Sequence, residues 1–152
     1  MEAVLVEVES PLQPEVAALL TQSDAVAIRL YPGAYRRPIT PEVLANPGTH
    51  ALVARLAGAA VGLCVVFERG DGTVEVKRMI VDQRTRGRGV GTALLRHAHA
   101  QARRLGAHTA RLEVGVRNTE AQALYRRAGY RPCAPFPPYQ KSPISRFMEL
   151  RL

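Results

Sequence analysis

The sequence has no tryptophan, three phenylalanines and five tyrosines, and only two cysteines among 152 residues. Cys64 lies inside an apolar stretch and Cys133 in a loop-like one. Two such cysteines make no disulfide framework, so a reducing cytoplasm is the expected setting. Neither reads as a nucleophile, since Cys64 sits in an apolar strand and Cys133 has no evident activating base. No run approaches the roughly 18 apolar residues of a membrane span. The first ten residues, MEAVLVEVES, carry no basic leader, so no secretory signal is expected. Metal-ligand clusters are also missing. His97 and His99 are two apart on a helical stretch and do not face each other, so no metal is expected.

Lysine is nearly absent as well. Lys77 and Lys141 leave 19 arginines among the 21 basic residues, and the net charge is +8. With abundant alanine, this bias reads partly as a GC-rich bacterial source and partly as attraction to an anionic partner. A nucleic-acid reader interleaves aromatics with its basic residues, and none lies among Arg84, Arg86 and Arg88. Nucleic-acid binding is therefore the weaker of the anionic readings.

What is present is globular. Apolar residues make up 47% and charged residues 22%, and 152 residues suit one domain spanning 1–152. The stretch Glu75 to Leu105 organises the rest. Thr73 to Val81 alternates like a strand, and Asp82 to Arg88 is turn-like. From Val90 the apolar positions Val90, Leu94, Leu95, Ala98 and Ala102 recur at helical spacing until Gly106 closes the helix. Gly87, Gly89 and Gly91 punctuate the junction. Glycine costs about 1 kcal/mol against alanine in a helix. That cost makes sense where backbone must approach a ligand or take positive φ. A helix N-terminus offers free N–H groups and a partial charge of about +0.5, which suits an anion. Gly87 to Thr92, flanked by Arg86 and Arg88, therefore reads as a phosphate cradle made mostly of backbone. It is not a P-loop, for there is no Gly-Lys-Ser/Thr. Thr92 also breaks a dinucleotide fingerprint.

The remaining chain reads as follows. Ala3 to Val8 is a strand. Ser10 and Pro11 cap and open a helix ending near Ser23. Asp24 to Arg37 has no clear assignment. Thr40-Pro41-Glu42 opens a second helix that Asn46-Pro47-Gly48 ends. His50 to Leu56 and Ala59 to Arg69 form a hairpin around Ala57-Gly58, and Arg69 to Gly72 turns into the key strand. Thr109 to Val116 is a strand, and Thr119 to Ala128 a helix capped by Asn118 or Thr119. Tyr130 to Ala134 is a short strand, Pro135 to Pro143 a proline-rich loop, and Ser145 to Leu152 the last strand.

Arg86-Gly87-Arg88-Gly89-Val90-Gly91 resembles the acetyl-CoA-binding signature of the GNAT superfamily of N-acetyltransferases, Arg/Gln-x-x-Gly-x-Gly/Ala. Downstream, Asn118-x-x-Ala121-x-x-Leu124-Tyr125-x-x-x-Gly129-Tyr130 resembles that family's C-terminal motif. The resemblance covers most of the chain and is weakest from Asp24 to Asn46. It implies one α/β domain, α+β in detail, with a mixed, mostly antiparallel sheet of about seven strands and helices on both faces. A splay between the fourth and fifth strands would admit the pantetheine arm. It further implies acetyl-CoA as co-substrate, direct transfer to a primary amine in a ternary complex, and no metal. Met79, Ile80 and Val81 would face the thioester with their backbone. Arg86 to Thr92 and Asn118 would hold the cofactor, with Tyr125 beside it protonating the departing thiolate.

The general base stays open between Glu75, on the key strand, and Glu113, on its neighbour. Either carboxylate could face the splay and act as base. Tyr31, Tyr35 and Arg36 fall in the variable region and are candidate acceptor-site residues. Arg29, Arg36 and Arg37 could favour an acceptor bearing a carboxylate, which arginine pairs bidentately. The expected partners are acetyl-CoA and an amine, with no membrane, and the reading is compatible with a homodimer. Two other functions remain: a non-catalytic acyl-CoA sensor on the same fold, and a basic nucleic-acid-binding protein.

Overall fold

A computed structural model describes residues 3–33 and 39–152. Its elements are β1 (Leu5–Val8), α1 (Pro14–Leu30), α2 (Pro41–Leu44), β2 (Thr49–Leu56), β3 (Ala59–Glu68) and β4 (Thr73–Val81). There follow α3 (Val90–Arg104), β5 (Thr109–Gly115), α4 (Thr119–Arg127), β6 (Arg131–Pro132) and β7 (Ser145–Arg151). The strands form one sheet of seven in the order β1-β2-β3-β4-β5-β7-β6. Every ladder is antiparallel except β4–β5, which is parallel.

Strand alternation sends side chains to two cores. Leu52, Ala54, Cys64, Val66, Val74 and Val76 pack on one face with Val90, Leu94, Leu95 and Ala98 of α3 and Tyr125 of α4. Ala51, Val53, Leu63 and Val65 pack on the other with Val16, Leu19 and Leu20 of α1 and Leu44 of α2. The helices therefore cover both faces, as the resemblance implied.

Gly62 is where α3 comes closest to the sheet. A Cβ there would meet Leu94 Cδ1 and Val90 Cγ1, each at 2.9 Å. Overpacking a well-packed core costs typically about 1–3 kcal/mol. Gly62→Ala should therefore lower the stability read by urea unfolding by about that amount. An unchanged midpoint would mean that α3 rides loosely over β3.

Two elements, α1 and β6, differ from the sequence reading. Helix α1 starts at Pro14, with Gln13 as its extended N-cap, not at Ser10-Pro11. It also runs on to Leu30, through residues that had no assignment. Ser10 instead accepts the Leu12 N–H in a turn. Strand β6 shrinks to Arg131–Pro132. The Thr40 cap stands, its hydroxyl accepting from Val43 N–H at 3.4 Å, with Pro41 in the first turn. Asn118, not Thr119, caps α4 by accepting from Ala121 N–H at 3.2 Å.

Candidate active site in the gap between β4 and β5

The ladder between β4 and β5 holds only at Thr73↔Thr109, Val74↔Ala110 and Glu75↔Arg111. Beyond Glu75 both strands continue, to Val81 and Gly115, yet no longer pair with each other. The backbone edge of β4 that faces β5 is thus unladdered from Val76 onward. A bulge marks the same stretch. Val65↔Lys77 and Leu63↔Ile80 leave Cys64 opposite both Arg78 and Met79. Arg78 takes φ +54, a left-handed conformation uncommon outside glycine. The extra residue reverses the strand's parity. Val74 and Val76 belong to the α3 core, but so do Met79 and Val81, while Ile80 joins the α1 core.

Two cavities open on this gap. One, of about 380 Å³, is lined by Thr85, Arg86, Gly87, Gly89, Val90, Gly91 and Thr92 and by Arg29, Arg117, Glu120 and Arg127. The other, of about 340 Å³, is lined by Ser23, Ala27, Ile28, Tyr31, Arg78, Glu113, Val114, Gly115, Tyr125, Ile144 and Ser145. Val26, Leu30, Met79, Ile80, Asn118 and Ala121 line both, so the cavities meet in the gap.

The first cavity has features that suit an anion. Gly89 is the N-cap of α3, with φ +77, and its carbonyl takes the first helical bond from Ala93 N–H. The N–H groups of Val90, Gly91 and Thr92 precede that first bond and are free of the helix ladder. Gly87, with φ +80, and Gly89 have open space where a Cβ would stand. No acidic residue occupies the first turn. Gly91 is bare for a different reason. A Cβ there would come within 3.1 Å of Leu124 Cδ2, so it lets α3 and α4 pack closely. Arg86 grips both Glu120 oxygens at 2.9 and 2.7 Å and ties the loop to α4. Arg84 is spent on Asp82, whose carboxyl it holds down to about 2.

The second cavity sets apolar side chains beside Arg78, Glu113, Asn118 and the hydroxyls of Ser23, Tyr31, Tyr125 and Ser145. Tyr125 is buried, and its ring stands edge-on to Tyr130 with centroids 5.7 Å apart. Among the described residues its hydroxyl has no hydrogen-bond partner, and burial, aided by nearby Cys64, holds it well above the usual tyrosine range. It keeps its proton at any ordinary pH. Glu113 accepts a hydrogen bond from the Ser145 hydroxyl at 2.7 Å. Tyr31, at the C-terminus of α1, closes one end. Its hydroxyl accepts from Arg117 N–H at 2.7 Å, and the Arg117 guanidinium stacks 5.3 Å from its ring centroid.

The comparisons agree with this geometry. The acetyltransferase (GNAT) family model matches residues 18–130. The chain belongs to the acetyltransferase (GNAT) family. It is 37% identical over 150 residues to an "IAA acetyltransferase" of Azospirillum brasilense, covering 98% of both chains. A crystal structure from Klebsiella pneumoniae assigned to the acyl-CoA N-acyltransferases superposes with a TM-score of 0.84 at 34% identity, covering 98% of this chain and 97% of that one. An N-acetyltransferase from Thermoplasma acidophilum, solved with coenzyme A, shares the fold at 16% identity and a TM-score of 0.76, covering 99% of each chain.

Of the residues the GNAT resemblance singled out, Met79, Ile80, Val81, Arg86, Gly87, Gly89, Val90, Gly91, Thr92 and Asn118 come together around the first cavity. Arg88 is exposed and does not line it. Tyr125, Tyr31 and Glu113 share the second cavity. Tyr35, Arg36 and Arg37 lie outside the described residues. Glu75 is separated from Glu113. It lies in the paired half of β4, 1% exposed, and lines neither cavity. Arg69 Nη2 sits 2.8 Å from its Oε1, out of line for a hydrogen bond, and Tyr139 donates its hydroxyl to Oε2. Arg29 faces the first cavity rather than the second. Arg78, Arg117, Arg127, Ile144 and Ser145 were not found from sequence, because only the folded sheet brings them to the gap.

Behind Tyr125 the chain buries a histidine. His99 Nε2 lies 2.8 Å from the Tyr130 hydroxyl, and burial, with Arg103 adding to it, lowers its pKa to about 4. The folded state keeps His99 neutral, while the unfolded chain protonates it below its ordinary value of about 6.5. Its contribution to stability is therefore full above about 6.5 and is lost as pH falls toward 4. His99→Gln should flatten that loss. Parallel stability–pH curves for the two proteins would contradict the assignment.

Among the described residues, no helix is long and apolar enough to cross a membrane, and no group of three or more His, Cys, Asp or Glu could hold a metal.

Proposed function

We propose that this protein transfers an acetyl group from acetyl-CoA directly to a primary amine in a ternary complex. One observation carries the reading: a cavity over the glycine-lined start of α3 and a cavity beside Tyr125 and Glu113 meet where a parallel ladder stops after three pairs. Acetyl-CoA would supply an acyl group already activated as a thioester. The residues present fit it. Free N–H groups of Val90, Gly91 and Thr92, left bare by Gly87 and Gly89, suit a pyrophosphate. Arg29, Arg117 and Arg127 surround the same cavity with positive charge.

The backbone from Met79 to Val81, unladdered on its β5 edge, supplies N–H donors for the charge that develops on the carbonyl oxygen. Glu113 takes the proton that the ammonium must lose before its nitrogen can form the new C–N bond. Tyr125 holds its proton toward the sulfur as the C–S bond breaks. Glu75, paired with Arg69 and accepting from the Tyr139 hydroxyl, anchors the loop over β4 instead. The name of one relative agrees with an acyl transfer to an amine, a "[ribosomal protein bS18]-alanine N-acetyltransferase" assignment from Bacillus subtilis, 32% identical over 91 residues.

Calorimetry with acetyl-CoA tests the cofactor half. Saturable binding of one molecule per chain, weakened by added salt, is expected. No heat of binding to folded protein would remove the proposal.

A further inference from the structure

We infer that the acceptor is a primary amine on an apolar body with no carboxylate of its own. The inference rests on the reading above and concerns the second cavity. Among the described residues, its lining has two charged groups, Arg78 and Glu113. The Arg78 guanidinium is already engaged. Its side chain is 5% exposed, it donates to Asp24 at 2.9 Å, and the bulge at φ +54 fixes its backbone. Glu113 is different. Among the described residues no cation pairs with it, and its one hydrogen-bond partner is the neutral Ser145 hydroxyl. The nearest basic residues on its own face are committed elsewhere, Arg111 to Glu149 and Lys77 to Glu75.

The cavity therefore offers, at its exposed Glu113, one negative charge with no cationic partner among the described residues. An ammonium completes it, while a carboxylate beside that ammonium would meet Glu113 as a like charge. Arg29, the guanidinium on α1 suited to pair a carboxylate, faces the cofactor cavity instead. The walls suit an uncharged body. Val26, Ala27 and Met79 lie inside, and Ile28 and Ile144, 69% and 44% exposed, carry the apolar surface out to the mouth. An apolar body held in the cavity would cover both side chains. A volume of about 340 Å³ admits a body the size of one ring and a short chain.

Three acceptors isolate the charge: 2-phenylethylamine, phenylalanine amide and phenylalanine. Free-thiol release from acetyl-CoA gives kcat/KM for each, with calorimetry confirming that acetyl-CoA is bound. The first two are expected to exceed phenylalanine at least tenfold. Ile28→Arg, an exposed change that puts a cation at the mouth, should narrow that ratio at least threefold. Phenylalanine used as well as its amide would overturn the inference, as would an unchanged ratio in Ile28→Arg. A preference for phenylalanine that disappears in Arg36→Ala would overturn it too and assign carboxylate recognition to Arg36. Bound acetyl-CoA with none of the three acetylated would overturn the substrate class and leave the cofactor site standing. Absence of acetyl-CoA binding would instead remove the proposed function itself, and this inference with it.

Discussion

Tyr125→Phe is expected to slow single-turnover acetyl transfer on the order of 10²-fold, the lower range for an acid–base group, and to leave acetyl-CoA affinity unchanged. The hydroxyl faces the acceptor cavity and is free of hydrogen bonds among the described residues, so removing it strands no partner. The ring stays packed against Tyr130, so the fold should hold. A thiol ordinarily titrates near about 8.5 and tyrosine near about 10. Burial widens that gap, because it holds Tyr125 above its usual range. Full proton transfer to the sulfur is therefore uphill, and the hydroxyl acts as a hydrogen-bond donor that strengthens as charge develops there. An interaction absent from the ground state lowers the barrier without contributing to binding. The rate must come from a single turnover with both substrates saturating, because product release can mask the chemical step. A rate within twofold of wild type would return Tyr125 to a packing role. A matching loss of cofactor affinity would make it a positioning residue for the cofactor.

Gly89 should show the second large effect, on binding rather than rate. Filling the open space over the first turn of α3 is expected to weaken acetyl-CoA at least tenfold, about 1.4 kcal/mol. The structure adds a complication that sequence did not show. At φ +77 a valine is strained whatever space surrounds it, at about 1–3 kcal/mol. Gly89→Val therefore mixes a blocked cradle with a distorted loop. Asparagine tolerates left-handed backbone far better, so Gly89→Asn isolates the blocked cradle. Both variants should lose affinity, and only Gly89→Val should lose much stability. Wild-type affinity in a folded Gly89→Asn protein would show that the glycine serves the loop's conformation and not an anion.

The glycine loop was legible because its chemistry is local. Helix capping and positive φ act within a few residues, and Gly87, Gly89 and the Thr40-Pro41 start could be read in place. Helix α1 was only half legible for a physical reason. Val16, Leu19 and Leu20 give a stripe, and Val26, Ala27 and Leu30 continue its spacing, but the polar run from Thr21 to Asp24 separates the two halves and hides the continuity. Arg78 gave no signal at all. Its positive φ is imposed by two-for-one pairing with Cys64 on β3, a tertiary constraint. Glu75 and Glu113 were indistinguishable in sequence, each on a strand beside the expected splay. What separates them is where the ladder stops. Glu75 sits at its last rung and under Tyr139, and Glu113 lies beyond it in the open gap.

The most direct test of the account is acetyl transfer itself. The purified protein, acetyl-CoA and 2-phenylethylamine would be followed by mass spectrometry of the amine and by titration of free thiol in the same sample. The account predicts N-acetylated amine and free thiol in equal amounts, both dependent on the protein and both sharply reduced by Tyr125→Phe. Thiol released without acetylated amine, or at the same rate in wild type and Tyr125→Phe, would contradict it.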